Sequence, residues 1–180
     1  MRTTIMLIFL CISTLSFSQV KEFIVEDLYV INSKVNACEG KMASDLYSKT
    51  NDWINYTYLN PDNVIKGKVE NDFIRFKGSK KDFYIDEIMG QVLVSFDLIY
   101  VFKIDFKDDK YRLALESYDI IEVTGNHKLT LASLVKDGEI DDTLPYYYSF
   151  KRNLLKEINE LNTSLYDYIS GKKETQEDDW

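Results

Sequence analysis

Every even-numbered position from Val92 to Phe106 is apolar: Val92, Val94, Phe96, Leu98, Tyr100, Phe102, Ile104 and Phe106. A helical period would scatter these side chains around an axis, whereas a period of two gathers them on one face of a strand. The segment therefore predicts a long strand with one wholly apolar face. Its odd positions interleave Leu93, Ile99 and Val101 with Ser95, Asp97, Lys103 and Asp105, so the second face is mixed. After Lys107-Asp108-Asp109-Lys110, the residues Tyr111, Leu113 and Leu115 alternate with Arg112, Ala114 and Glu116, which predicts a return strand to about Val123. A two-residue turn at Asp108-Asp109 sets Phe106 opposite Tyr111 and Asp105 opposite Arg112, a charge pair that helps fix register.

The remaining segments divide by the same logic. Phe23 to Ile31 is rich in β-branched and aromatic residues and predicts a first strand, followed by a loop from Asn32 to Ala43. Ser44 stands at an N-cap position with Asp45 in the first turn, and Leu46, Tyr47, Thr50, Trp53, Ile54 and Thr57 recur at helical spacing. A helix is expected from Asp45 to about Tyr56, stopped by Asn60-Pro61-Asp62. Two short strands follow, Val64 to Val69 and Asp72 to Lys77, joined by a turn at Glu70-Asn71. Ile74 and Phe76 face one way, Arg75 and Lys77 the other, and Gly78-Ser79-Lys80 reads as a polar loop. Gly125 to Asp142 is a long connection. Thr143 caps a second helix with Pro145 just inside its start. Phe150, Leu154, Ile158, Leu161, Leu165 and Ile169 trace its single apolar stripe, and Gly171 ends it with Lys172 and Lys173 at the negative end. Residues 172–180 read as a disordered acidic tail.

The order is thus strand, helix, four strands, helix. Four consecutive strands joined by short turns make an antiparallel sheet, and two amphipathic helices need a flat apolar surface to cover. The expected fold class is α+β, a two-layer sandwich with both helices on one face of the sheet. The other face is left exposed or used for binding.

The amino terminus carries Arg2, an apolar run from Ile5 through Phe17, and small residues at Ser16 and Ser18. These are the three parts of a cleavable export signal, residues 1–18. A membrane span needs about twenty apolar residues for ~30 Å of hydrocarbon, and this run is shorter and broken by Ser13, Thr14 and Ser16. The bulky Leu10 before Cys11 argues against lipidation. The expected product is a single domain over residues 19–171, exported to the periplasm, cell envelope or medium, with no stable membrane span after cleavage. The chain has 30 acidic against 22 basic side chains and a net charge of −8. Such a surface repels phosphate backbones, so nucleic acid is not an expected partner. Loss of the signal removes Cys11 and leaves Cys38 as the sole thiol, so no internal disulfide can form. It is read as a small buried apolar group, with a reactive thiol or an intermolecular bridge as the alternative.

Several of these segments together carry a resemblance. Ser44-Asp45-Leu46-Tyr47 leading to Trp53, Val64-Ile65 with a hairpin ending Lys77-Gly78, and Phe102-Lys103-Ile104 before Lys107-Asp108-Asp109-Lys110-Tyr111-Arg112 are similar to a bacterial family of exported proteins. That family has no known function and a TATA-binding-protein-like (TBP-like) fold. Asp109 and Lys110 replace the glycine and first arginine of its lysine-aspartate-glycine-arginine-tyrosine-arginine turn. The resemblance runs from about Phe23 to Ile169 and implies the element order above and a bacterial origin. It transfers no functional residue, and the name of the fold implies no DNA binding for an acidic exported chain.

Candidate sites are sparse. His127, the one histidine, lies in a loop beside no nucleophile motif, and with Cys38 it lacks the ligand spacing of a zinc site. Glu139, Asp141 and Asp142, like Asp108 and Asp109, lack the glycine and ligand spacing of a calcium loop. No metal, cofactor or catalytic residue is assigned, although candidate carboxylate pairs for sugar hydrolysis remain in any acidic chain. Asn55-Tyr56-Thr57 and Asn162-Thr163-Ser164 match glycosylation acceptors but fall on expected helices. Aromatics stand out, with 13 Tyr, 10 Phe and 2 Trp. Tyr146, Tyr147 and Tyr148 fall on successive faces of a helix start, so they offer an aromatic platform for a sugar, peptide or lipid. The leading reading is a non-enzymatic exported binding or accessory module for a small molecule, glycan or protein, working through the open sheet face or these tyrosines. The second is a structural or assembly subunit of an envelope complex acting through a sheet edge, and the third a hydrolase.

Overall fold

The computed structural model describes residues 20–23, 33–123, 128–129, 135–136, 139–140 and 147–172, with backbone alone at 88, 128–129, 135–136, 139–140 and 147. The elements run β1 (Ser33–Ala37), α1 (Ala43–Thr57), α2 (Pro61–Val64), β2 (Ile65–Val69), β3 (Phe73–Ile88), β4 (Gln91–Lys107), β5 (Lys110–Glu122), β6 (Lys128–Leu129), β7 (Val135–Lys136), β8 (Glu139–Ile140) and α3 (Tyr147–Ser170). The sheet order is β1-β5-β4-β3-β2, antiparallel throughout, with β6 beside β5 past the end of β1.

β4 is the spine, and its even positions from Val94 to Phe106 are buried as their alternation requires, while Val92 is exposed. Phe106 pairs with Tyr111 and Asp105 with Arg112, the register read from the turn. In β5 the inward set is Tyr111, Leu113 and Leu115, then Tyr118 and Ile120. The parity changes because Val101 pairs with Ser117 and Phe102 with Leu115, leaving Glu116 as the extra residue of a bulge. α1 covers this face with Leu46, Thr50, Trp53 and Ile54, and α3 with Phe150, Leu154, Ile158, Leu165 and Ile169. The helices share one layer, where Trp53 Nε1 donates to Ser164 Oγ at 3.1 Å. Trp53 meets Phe76 edge-on at 5.8 Å and Phe96 meets Phe150 at 4.9 Å. Each such side chain stabilises the fold by roughly 1.5–3 kcal/mol through burial.

The strand opposite β5 corrects the expected N-terminal assignment. Residues 24–31 of the predicted Phe23 to Ile31 strand lie outside the described residues, and Phe23 itself is buried in irregular backbone. The strand that pairs with β5 is Ser33–Ala37, inside the stretch read as loop from Asn32 to Ala43. Its inward residue is the fully buried Asn36, so no apolar alternation announces it. Asn36 Nδ2 donates to Asn162 Oδ1 on α3 at 2.8 Å, and Asn162 Nδ2 donates to the Lys21 carbonyl at 2.9 Å. Asn159 exchanges two bonds with the Phe23 backbone, accepting at 2.7 Å and donating at 3.2 Å, much as a paired strand would. The polar side chains of α3 thereby hold residues 21–23 against the core.

Other boundaries move for identifiable reasons. α1 begins at Ala43 with Met42 as its N-cap, so Ser44 lies within the first turn. The orphan donors are met from other residues: Met42 N–H donates to Asp45 at 3.3 Å and Ala43 N–H to Asp108 at 2.9 Å. Pro61 opens the short α2 rather than only stopping α1, which moves the start of β2 to Ile65. Gly78-Ser79-Lys80, read as a loop, continues β3 to Ile88. Register shifts between Lys80 and Tyr84, where Asp82 has φ 52° and its N–H donates to the Asp97 carboxylate at 2.9 Å. The turn chemistry there is a bulge, not a strand end. Three two-residue strands interrupt the long Gly125 to Asp142 connection. Thr143 and Pro145 lie outside the described residues, while Gly171 closes α3 at φ 75°.

Candidate functional site

With both helices on one side, the opposite face of β5-β4-β3 carries no further element among the described residues, and its rows can be read from the register. From the Asp108-Asp109 turn toward the Met89-Gly90 turn they are Phe73-Asp105-Arg112, Arg75-Lys103-Ala114, Lys77-Val101-Ser117, Ser79-Ile99-Asp119, Asp97-Ile121 and Ile85-Ser95. Val35 of β1 extends the first row beside Arg112. The mixed odd positions of β4 are thus sorted along the strand.

The end nearest the Asp108-Asp109 turn is ionic. The Arg75 guanidinium contacts Glu116 at 2.7 Å, Lys103 Nζ contacts Asp105 at 2.6 Å, and Arg112 donates to Asp105 at 2.7 and 3.0 Å. Partial burial opposes ionisation of Asp105, but its bonds to Lys103 and Arg112 outweigh that and hold its carboxyl below the ordinary value. Lys103 also stands over the Phe73 ring at 4.8 Å. A cavity of about 220 Å³ opens here between Val35, Asp105, Lys107, Lys110, Tyr111 and Arg112. The charges of this end are largely engaged with one another.

The Met89-Gly90 end is different in kind. Ile85 pairs across from Ser95, and Val123 N–H donates to the Ser95 carbonyl at 2.8 Å. Ile85, Leu93 and Val123 are 43, 53 and 52 % exposed, so three large apolar side chains, from β3, from β4 and from the residue just after β5, meet solvent around one small serine. Exposed apolar side chains grouped in this way mark interaction surfaces more often than scattered ones do. β5 ends at Glu122 opposite Phe96, so among the described residues β4 has no partner on that side at Gln91 to Val94.

The residues singled out in the sequence fall elsewhere. Of the tyrosine trio, Tyr146 lies outside the described residues, Tyr147 opens α3 with an undescribed side chain, and Tyr148 is 69 % exposed in the first turn. His127, Asp141 and Asp142 also lie outside the described residues, and Glu139 belongs to β8. Asp108 and Asp109 hold the fold together at the hairpin: Asp108 accepts from Ala43 N–H, and Asp109 Oδ1 accepts from Gly40 N–H at 2.7 Å. Cys38 is buried, and burial pushes its thiol up to about 11, against a smaller opposing pull from Lys41. Asn162 is fully buried, which closes that acceptor to a glycan in the folded chain. Sequence reasoning misses Ile85 and Val123, because the patch forms only when three strands are set in register. The signal that could have found it is charge: no lysine or arginine occurs from Asp82 through Phe102 or from Leu113 through Asn126.

No protein-family model matches the sequence, and no curated protein does. Two solved structures share the architecture. A DUF4468 family protein from Bacteroides ovatus superposes with a TM-score of 0.63 at 13 % identity, covering 78 % of this chain and 85 % of that one. A TBP-like protein from Parabacteroides distasonis gives 0.61 at 12 % identity, covering 78 % and 92 %. The fold is TBP-like. This agrees with the resemblance carried by Ser44 to Trp53 and by Lys107 to Arg112. In the family turn a glycine stands where this chain has Asp109, whose φ of 67° is the left-handed geometry that glycine adopts most readily. Among the described residues no helix is long and apolar enough to cross a membrane.

Proposed function

We propose that this chain is a non-enzymatic binding module of the cell exterior that docks a protein partner on the helix-free face of its TBP-like sheet. The observation that carries the reading is the cluster of Ile85, Leu93 and Val123, solvent-exposed on a face that the helices leave bare. Export rests on the leader-like run from Ile5 to Phe17. The ionic end of the face supports a role in orientation, since its charges are already paired and offer little raw affinity.

The test is site-specific photocrosslinking in the producing cell. A photoreactive residue at Leu93 yields a discrete adduct, while one at Arg152, an exposed position on α3, does not. Adducts of equal yield from both positions, or none from Leu93, refute the proposal. A second reading, self-assembly through the β4 edge at Gln91 to Val94, is favoured by that edge being unpaired among the described residues. It predicts a Leu93 adduct of twice the chain mass.

A further inference from the structure

Most charges at the ionic end of the face opposite the helices are engaged, and its last row is the exception. There Lys107 pairs directly across from Lys110, with Ala37 of β1 beside Lys110. Both lysines are exposed, and among the described residues neither makes an ion pair. Like charges directly across two strands are destabilising, so an anion set between them relieves the row. In the next row Asp105 does not neutralise the lysines, because Lys103 and Arg112 already claim its carboxylate. Arg112 gives Nε and Nη2 to Asp105, which leaves the donors of Nη1. The turn carboxylates are directed toward the start of α1, where Asp108 accepts from Ala43 N–H and Asp109 from Gly40 N–H. Glu39, Glu70 and Asp72, the other acids near this end, make no ion pair among the described residues. Lys107, Lys110 and Arg112 all line the cavity of about 220 Å³, and Val35, 42 % exposed, supplies its apolar wall.

We infer that this cavity binds a phosphate monoester. Two lysines without a counter-ion match the nearly double negative charge of such a group at neutral pH. A carboxylate carries a single charge and leaves one lysine opposed. Arg112 Nη1 adds a planar, directional donor, and Val35 meets the apolar edge of whatever small group the phosphate is attached to. The site lies at the opposite end of the face from Ile85, Leu93 and Val123, so it stands apart from the docking role proposed above.

The test uses the signal-free full chain in phosphate-free buffer at constant ionic strength. Inorganic phosphate and a hexose phosphate bind in the ~millimolar range by calorimetry and raise the melting temperature, whereas acetate at equal concentration does neither. Lys107→Gln and Lys110→Gln each weaken binding roughly fivefold. Without phosphate both variants melt no lower than the unchanged chain, because each removes one of two opposed charges. Lys77 is an exposed lysine of the same face, across from Val101 and so six residues along β4 from Lys107, roughly 20 Å at strand rise. Lys77→Gln changes affinity less than about twofold. Cosedimentation with phosphatidylcholine vesicles that contain phosphatidate marks a lipid headgroup as the source, and hexose phosphate binding without cosedimentation marks a soluble monoester. Equal stabilisation by acetate and phosphate, equal losses from Lys77→Gln and Lys107→Gln, a lower melting temperature of Lys107→Gln without phosphate, or no binding of either phosphate would overturn the inference.

Discussion

Gly78 is the residue at which a side chain is least acceptable. A Cβ placed there would run into the Tyr100 ring, whose hydroxyl shares a hydrogen bond with the Tyr58 hydroxyl at 3.2 Å. Burial, aided by the neighbouring phenol, pushes Tyr58 well above its ordinary value, so this pair stays neutral. Gly78→Ala is expected to cost about 2 kcal/mol in urea unfolding, since the crowded group is a packed ring. Asn162→Ala leaves the Asn36 amide and the Lys21 carbonyl without their partner and should cost about 3 kcal/mol in the same measurement. Asp105 titrates below its unfolded value of about 3.8. Its contribution is present above that value and is lost as pH falls through the lower folded one. Asp105→Asn is therefore expected to lower stability at neutral pH and flatten its decline below about pH 4, read from denaturant midpoints across that range.

Among the elements, the ones legible in the sequence are those buried on one face only. The period of β4 and the stripe of α3 are apolar where they meet the core, the buried Asn162 of α3 excepted, so their pattern and their burial largely coincide. β1 is hidden because its inward residue is Asn36, and the continuation of β3 is hidden because Gly78-Ser79-Lys80 leads into a bulge inside the strand rather than a turn after it. The acidic turn between β4 and β5 gains its role only in three dimensions. Asp109 at φ 67° accepts from Gly40 N–H, while its neighbour Asp108 caps Ala43, tying the hairpin to the start of α1. Asp109→Ala loses that bond and keeps a left-handed backbone without a residue suited to it, a combined cost of about 2 kcal/mol. Thermal melting of that variant beside Asp109→Asn, which tolerates the same φ, separates geometry from charge.

At the scale of the whole molecule, a two-layer fold with both helices on one side leaves one face for contact with other molecules. The sequence reveals that this face is mixed but not that the ion pairs of Arg75, Lys103, Asp105 and Arg112 gather at one end and the exposed Ile85, Leu93 and Val123 at the other. That order depends on the register of three strands and on the Glu116 bulge, which brings Asp119, Ile121 and Val123 to the bare side. Cys38 is buried with its thiol raised to about 11, so a leader-free chain offers a nearly silent background for labelling. Single cysteines at Ile85, Leu93 and Val123 should react with a maleimide at free-thiol rates in the purified protein, and a cysteine at Phe76 should not. In the producing cell the same three positions should be protected while exposed Arg152→Cys stays reactive; labelling of Leu93→Cys at equal rates in the cell and in isolation would contradict the docking face.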